Sequence, residues 1–312
     1  MRYQEIKFYK SRLLSNTSLV EKLEVAFANY TGFKYAVAVD SCTNAIRLCL
    51  EYSKPKKVSI PTMTYVSVAN EILHCGAELE LLDEEHVGYA YQLQGTNIWD
   101  SAHEVCKDTG KTLGTYDAFC YSFYPTKLVP SYQGGMICTN NQHLAKWLKV
   151  ARQMGRTGYG AYYDVEFPGW KYNMTPIQAK EALTSLNILD KVKEKQWSQS
   201  TMYWVNFSDT ECITASSYHL FRIKVQERDL FIKYMKDFGI ECSIHFKPIH
   251  QFTAYKQYDK GQFPKMDELY KSIVSLPIHP YLTKRQQDYI IKKVKEWNKL
   301  WKEVETWQKL YK

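Results

Sequence analysis

The chain has 312 residues, a formal charge of +8 and 45% hydrophobic side chains, enough for one large core or for a large and a small domain. It shows no zinc-finger spacing, no aromatic RNA-binding signature and no dense basic block, so nucleic acid is not an expected partner. No run approaches the roughly 20 apolar residues of a membrane span, and the polar start Met1-Arg2-Tyr3-Gln4 does not read as a signal peptide.

The expected elements alternate. Leu19–Tyr30 reads as a helix with Val20, Leu23, Val25 and Phe27 at helical spacing, and Tyr35–Val39 as a buried strand. A helix over Asn44–Tyr52, a strand over Lys57–Ile60, a helix over Tyr65–Cys75 and a strand over Gly76–Leu82 follow. Further strands are expected at Asn97–Trp99, Tyr116–Tyr124 and Gly135–Thr139, then helices at Gln142–Met154 and Pro176–Ile188, the second running on as a long connector. This order predicts an α/β class with a largely parallel central sheet over residues 1–200.

From about Tyr218 the pattern changes. His219–Val225 alternates as a strand, Asp229–Phe238 is a helix stopped by Gly239, and Ile240–Phe246 is a strand. Thr283–Lys312 lacks Gly and Pro, and Ile290, Val294, Trp297, Trp301 and Val304 form one stripe, so a long helix capped by Thr283 is expected. Residues 201–312 thus make a smaller α+β domain. The eight scattered cysteines, with no Cys-x-x-Cys pair, read as reduced thiols of a cytoplasmic protein.

Several polar residues fall at strand ends or helix starts. Ser41-Cys42-Thr43-Asn44 opens a helix, which suits a phosphate cradle or plain N-capping. Tyr65 can stack on a flat ring or pack in a core. Asp100 follows the strand end Ile98-Trp99, where α/β proteins bind ligands, or caps a helix. His103, Ser122 and Lys127 are each compatible with a ligand contact or with a structural or exposed position. Together, an amine (Lys127) and an acid (Asp100) are what a pyridoxal phosphate enzyme needs: a Schiff-base partner for the aldehyde and a carboxylate for the pyridine nitrogen.

In this order the residues resemble the DegT-type (StrS-like) nucleotide-sugar aminotransferases, fold type I pyridoxal phosphate enzymes. The resemblance spans nearly the whole chain. It is carried by Thr31-Gly-Phe-Lys-Tyr-Ala-Val-Ala-Val-Asp-Ser, Pro61-Thr-Met-Thr-Tyr-Val-Ser-Val-Ala-Asn70, Ser122-Phe-Tyr-Pro-Thr-Lys127 with Gly134-Gly-Met-Ile, Tyr172-Asn-Met-Thr, and Phe246-Lys-Pro-Ile-His250. It implies pyridoxal 5'-phosphate bound by Lys127 as a Schiff base, with Asp100 at the pyridinium and His103 at the cofactor oxygen. It puts Cys42, Thr43 and Ser122 around the phosphate and Tyr65 on the ring. It also implies a homodimer with shared active sites, a nucleotide-sugar substrate and an amino acid donor, glutamate. Arg156, Tyr159, Tyr162 and Tyr163, in a Gly-rich loop, are candidates for gripping sugar or diphosphate, or form an exposed loop without that role.

Four positions depart from the family. Cys42 stands where Gly is usual, and a side chain there is expected to crowd the backbone. Lys171 replaces the Asn that reaches the phosphate from the other subunit, and Met154 replaces a His. The middle is short: only Glu84–Trp99 separates Asp83 from Asp100, and Val87–Gln94 is the residual strand. The run from it to Asn97 is too short for a parallel crossover, which needs a dozen or more residues. Either covering helices are missing, with the open sheet face passed to a subunit partner, or these strands pair differently. Outside the aminotransferase reading, a sugar dehydratase of this family is disfavoured by the presence of Lys127. A cofactor-free binding module and a keto-cyclitol aminotransferase stay open.

Overall fold

Leu23 and Phe27, one helical turn apart, are both fully buried and anchor helix α1 (19–31). The computed structural model describes residues 19–112, 118–159, 161–207, 212–214 and 218–310. The polar N-terminal stretch and the expected strand start at Tyr116 lie outside them.

Strand β1 (Tyr35–Val39) leads into α2 (Cys42–Ser53), β2 (Lys57–Met63), α3 (Ser67–His74) and β3 (Glu78–Glu85). Then come β4 (Tyr91–Leu93), β5 (Ile98–Asp100), the short α4 (Thr109–Thr112), β6 (Ala118–Ser122), β7 (Gly135–Thr139) and α5 (Gln142–Ala151). A five-stranded sheet has the order β1-β7-β6-β5-β4. Its β5–β6 pair is parallel, whereas β4–β5, β6–β7 and β1–β7 are antiparallel. The sheet is therefore mixed where a largely parallel one is expected. The reason at β4 is length: Leu93 turns into Ile98 through Gln94-Gly95-Thr96-Asn97, room for a hairpin only. Beyond β4, Ser59 and Gln94 exchange backbone hydrogen bonds of 3.0 and 2.9 Å, so β2 touches β4. Strands β2 and β3 form a two-stranded sheet of their own.

Alternation along each strand sorts the side chains into two faces. Ala36, Ala38, Phe119, Tyr121, Met136 and Cys138 enter one core cluster with Leu23 and Phe27 of α1 and with Ala179, Ala182 and Leu186 of α6 (Pro176–Asn187). Trp99 stacks on Phe119 at 5.2 Å between centroids. One face of the sheet is thus covered by the chain's own α1 and α6. The opposite face carries Cys120 against Cys49 of α2, with 3.8 Å between sulfurs. All eight cysteines are free thiols.

The chain divides into two units. The first holds the residues up to Ile60, Tyr65–Glu80 and Tyr89–Asp190. The second holds Pro61–Thr64, Leu81–Gly88 and the chain from Lys191 on. Residues 156–165 form a hairpin of β8 (Arg156–Tyr159) and β9 (Tyr162–Val165), not the loop expected there. Helix α6 starts with a capping box of Thr175 and Gln178, stops at Ile188, and α7 (Leu189–Asn206) follows.

In the second unit, β10 (Cys212–Thr214), β11 (Phe221–Lys224) and β12 (Ile273–Leu276) form an antiparallel sheet. Phe221 and Ile223 of β11 pack with Phe231 and Met235 of α8 (Arg228–Asp237) and with Ile290, Ile291 and Val294 of a long C-terminal helix. Short 3-10 turns and α9 (Pro264–Ser272) lie between α8 and β12. The C-terminal helix, α10 (Lys284–Leu310), is capped by Thr283, whose Oγ1 accepts from the Gln286 N–H at 3.3 Å. The strand expected over Ile240–Phe246 is reduced to one bridge, Ser243 with Ser275, because only Ser243 finds a ladder partner on β12. No helix among the described residues is long and apolar enough to cross a membrane.

Candidate active site

Asp100 ends β5 and belongs to the sheet face turned toward α2, opposite to Trp99. It is 6% exposed. Its Oδ1 accepts from the Ala102 N–H at 2.9 Å and its Oδ2 accepts from the Tyr91 hydroxyl at 3.2 Å. Burial raises the Asp100 pKa, while the Ala102 N–H, the Lys127 charge and the Tyr91 hydroxyl each favour the carboxylate. The turn behind it is pinned twice: the Ser101 N–H donates to the Cys120 carbonyl at 2.8 Å and the Ser101 hydroxyl to the Glu104 carbonyl at 2.7 Å.

Lys127 closes a tight turn after β6. Its N–H donates to the Tyr124 carbonyl at 2.9 Å, with Pro125 fixing the turn. Phe123, Leu128 and Val129 on either side are buried, which anchors the turn in the core. The side chain is half-buried. Burial lowers its pKa to about 8, against the pull of the Asp100 carboxylate, which favours the ammonium. An amine in this state is partly neutral near neutral pH and so nucleophilic. The expected acid and amine thus share one electrostatic environment.

The start of α2 completes it. Ser41 is the N-cap, its Oγ accepting from the Asn44 N–H at 3.1 Å, so capping accounts for this hydroxyl. Cys42 and Thr43 form the first turn, both half-buried. Burial and Asp100 push the Cys42 thiol well up, with Lys127 opposing, so it is held as a neutral thiol. Cys42 itself is helical and absent from the positive-φ positions, so its backbone conformation does not call for glycine. The close approach falls on Gly135 instead. A Cβ there would lie 2.5 Å from the Ser41 carbonyl carbon and 2.6 Å from the Cys42 nitrogen. Only glycine lets β7 lie this close beneath the helix start.

The remaining candidates are placed as follows. Ser122 ends β6, half-buried on the α2 side of the sheet, and its Oγ accepts from the Tyr124 N–H at 3.4 Å. His103 is half-buried in the turn after Asp100. Tyr65 precedes α3 instead of starting it and is 58% exposed. Lys171 is exposed and bridges to Gln153, in a segment held on β1 by the Asp40 N–H to Tyr172 carbonyl bond of 3.0 Å. It is not among the groups acting on Asp100 or Lys127. Arg156 lies over the Tyr163 ring at 4.1 Å, Tyr162 is exposed, and Tyr159 pairs with Tyr162 through the hairpin backbone. Sequence reasoning missed Tyr91, because its partner depends on the β4–β5 register. The signal available was the shortness of the link between the two strands.

These residues suit pyridoxal phosphate: a buried acid and a lowered-pKa amine are coupled, and a glycine-cleared helix N-terminus can accept phosphate. No cluster of metal-ligating side chains occurs among the described residues. Fold and site together define a fold type I aminotransferase. The chain belongs to the DegT/DnrJ/EryC1/StrS aminotransferase family, whose model matches residues 4–95 and 95–295, and its cofactor is pyridoxal phosphate. It is 27% identical to the spore coat polysaccharide biosynthesis protein SpsC of Bacillus subtilis, covering 92% of this chain and 91% of that protein. Among solved structures it is similar to the sugar aminotransferase Spr1654 of Streptococcus pneumoniae in its apo-form (TM-score 0.80, 21% identity, 93% of this chain and 92% of that one). It is also similar to a DegT DnrJ EryC1 StrS aminotransferase of Brucella abortus (TM-score 0.78, 24% identity, 89% and 90%).

Proposed function

We propose that this sugar aminotransferase acts on a nucleotide-linked keto sugar, with glutamate as amino donor, as a cytoplasmic homodimer. The observation that carries the reading is the coupling of the Lys127 amine to the buried Asp100 carboxylate beside the start of α2. Pyridoxal phosphate, when bound, supplies an aldehyde that condenses with amines and a ring that takes up electrons. Asp100 holds a proton at the pyridine nitrogen, supported as a carboxylate by the Ala102 N–H and the Tyr91 hydroxyl. Lys127 Nζ would hold the cofactor and, as general base and acid, would carry a proton at that atom.

Thr43, the backbone at Cys42 and the Ser122 hydroxyl bind the phosphate, and Lys171 adds a charge to the phosphate of the neighbouring subunit. Tyr65 would stack on the ring and His103 would contact its phenolic oxygen. Arg156, Tyr159, Tyr162 and Tyr163 grip the sugar or its diphosphate, the Arg156 guanidinium being suited to a diphosphate.

The test is chemical. Protein mixed with pyridoxal phosphate is reduced with borohydride, digested and weighed. The pyridoxyl mass is expected on the peptide bearing Lys127 and is lost in Lys127→Ala. A mass on another lysine, or none, overturns the assignment. Amino transfer from glutamate to nucleotide-linked ketoses, set against the same ketoses without the nucleotide and against keto-cyclitols, tests the substrate half.

A further inference from the structure

Within the shortened middle of the chain, the reversal of β4 has a chemical result. In the antiparallel β4–β5 pair, Tyr91 stands directly opposite Asp100 and Leu93 opposite Ile98. Directly opposed residues share a face. A strand running parallel to β5 would start at the other end of the sheet, far from the β5 C-terminus. Because β4 runs backward, its first residue lies beside the last residue of β5. The hydroxyl of Tyr91, a residue 7% exposed, donates to Asp100 Oδ2 at 3.2 Å. Next to it, the Ala90 N–H donates to Glu104 Oε2 at 2.7 Å, which ties the start of β4 to the turn that follows Asp100.

We infer that Tyr91 is a positioning residue for the reaction: it orients and keeps ionised the Asp100 carboxylate that meets the cofactor ring. This rests on the reading of Asp100 given above. The groups facing Asp100 are the Ala102 N–H and Tyr91 by hydrogen bond, Lys127 after β6, Cys42 on α2 and Cys120 on β6. Cys42 and Cys120, both pushed up and so held as neutral thiols, add no charge beside Asp100. Oδ1 is committed to the main chain at Ala102, so Tyr91 is the side-chain donor that fixes the rotation of the second oxygen. A hydrogen bond to a buried charged group is worth more than one between neutral groups.

The test compares Tyr91→Phe with Tyr121→Phe. Tyr121 is a buried tyrosine in the neighbouring strand, its hydroxyl has no hydrogen-bond partner among the described residues, and it lies on the opposite sheet face. In apoprotein with labelled aspartate carboxyls, the Asp100 midpoint is expected to move up in Tyr91→Phe and to stay put in Tyr121→Phe. Pyridoxal phosphate affinity, read by tryptophan fluorescence, is expected to fall about tenfold in Tyr91→Phe. The thermal midpoint should drop no more than in the control. An unmoved Asp100 titration overturns the inference. So does a moved titration with unchanged cofactor affinity, which would leave Tyr91 a purely structural partner. Asp100→Asn, measured alongside, separates the two levels. If it leaves cofactor affinity and spectrum unchanged, the reading of Asp100 itself fails. If it lowers both while Tyr91→Phe does not, only the role of Tyr91 falls.

Discussion

Two parts of the first unit differ in how their polar residues are held. Around Asp100 and Lys127 each reactive group is fixed by neighbours: two hydrogen bonds on the carboxylate, a tight turn and three buried apolar anchors around the amine. In the β8–β9 hairpin Tyr162 and Tyr163 are 92% and 56% exposed, and the Arg156–Tyr163 stack is the notable side-chain contact. The first region is preorganised by the core and shifts pKa values. The second leaves Tyr162 and Tyr163 open to solvent. Burial shifts the titration of the first region, whereas exposure leaves the second in contact with water.

The comparison breaks most sharply at Asp100. Asp100→Asn should lower kcat by about 10²–10⁴-fold, the usual range for a group that controls a proton in the reaction. It should also lower the Lys127 midpoint below about 8, since the carboxylate now favours the ammonium. In the apoprotein, capture of pyridoxal phosphate should rise with pH through about 8 in wild type as Nζ loses its proton, and at lower pH in the variant. An unchanged midpoint would separate two groups that we treat as coupled.

A middle-sized effect is expected at Gly135→Ala. Its Cβ would meet the Ser41–Cys42 peptide, backbone that cannot rotate away. Cofactor affinity should fall about tenfold or more and the thermal midpoint by several degrees, on the scale of about 1–3 kcal/mol for overpacking. Titration and melting curves of the variant decide this. The smallest effect belongs to the hairpin. Arg156→Ala and Tyr163→Ala should raise KM for the sugar nucleotide about tenfold with kcat nearly kept and melting unchanged, as expected when uniform binding is lost. A kcat loss matching that of Asp100→Asn would remove the contrast between the two regions.

Much of the fold was legible because periodicity carries it. Strand β7 fell where expected, α1 and α10 were visible in their apolar stripes, and Thr283 read as a cap. Asp100 was expected at the end of a strand, and β5 ends there, while Lys127 falls in the turn after β6. What was not legible depended on pairing. The alternation in Ile240–Phe246 suits a strand, yet only Ser243 meets a partner. Glycines at Gly155 and Gly158 suggested a loop, whereas Gly158, at φ +79°, serves a hairpin by clearing the Tyr162 carbonyl. The shortened link before β5 excluded a parallel crossover, but the Tyr91–Asp100 contact needed the register as well.

The β4–β5 ladder also bears on the order of assembly. Its strands meet across a turn of four residues, the kind of closure that completes in microseconds. The β1–β7 ladder joins Tyr35 to Thr139, and the seat of Gly135 under Ser41 waits on it. Local contacts form ahead of remote ones because less chain entropy is lost. A chain emerging from the ribosome can therefore set the carboxylate and its tyrosine early, while the start of α2 stays uncovered until β7 docks beneath it.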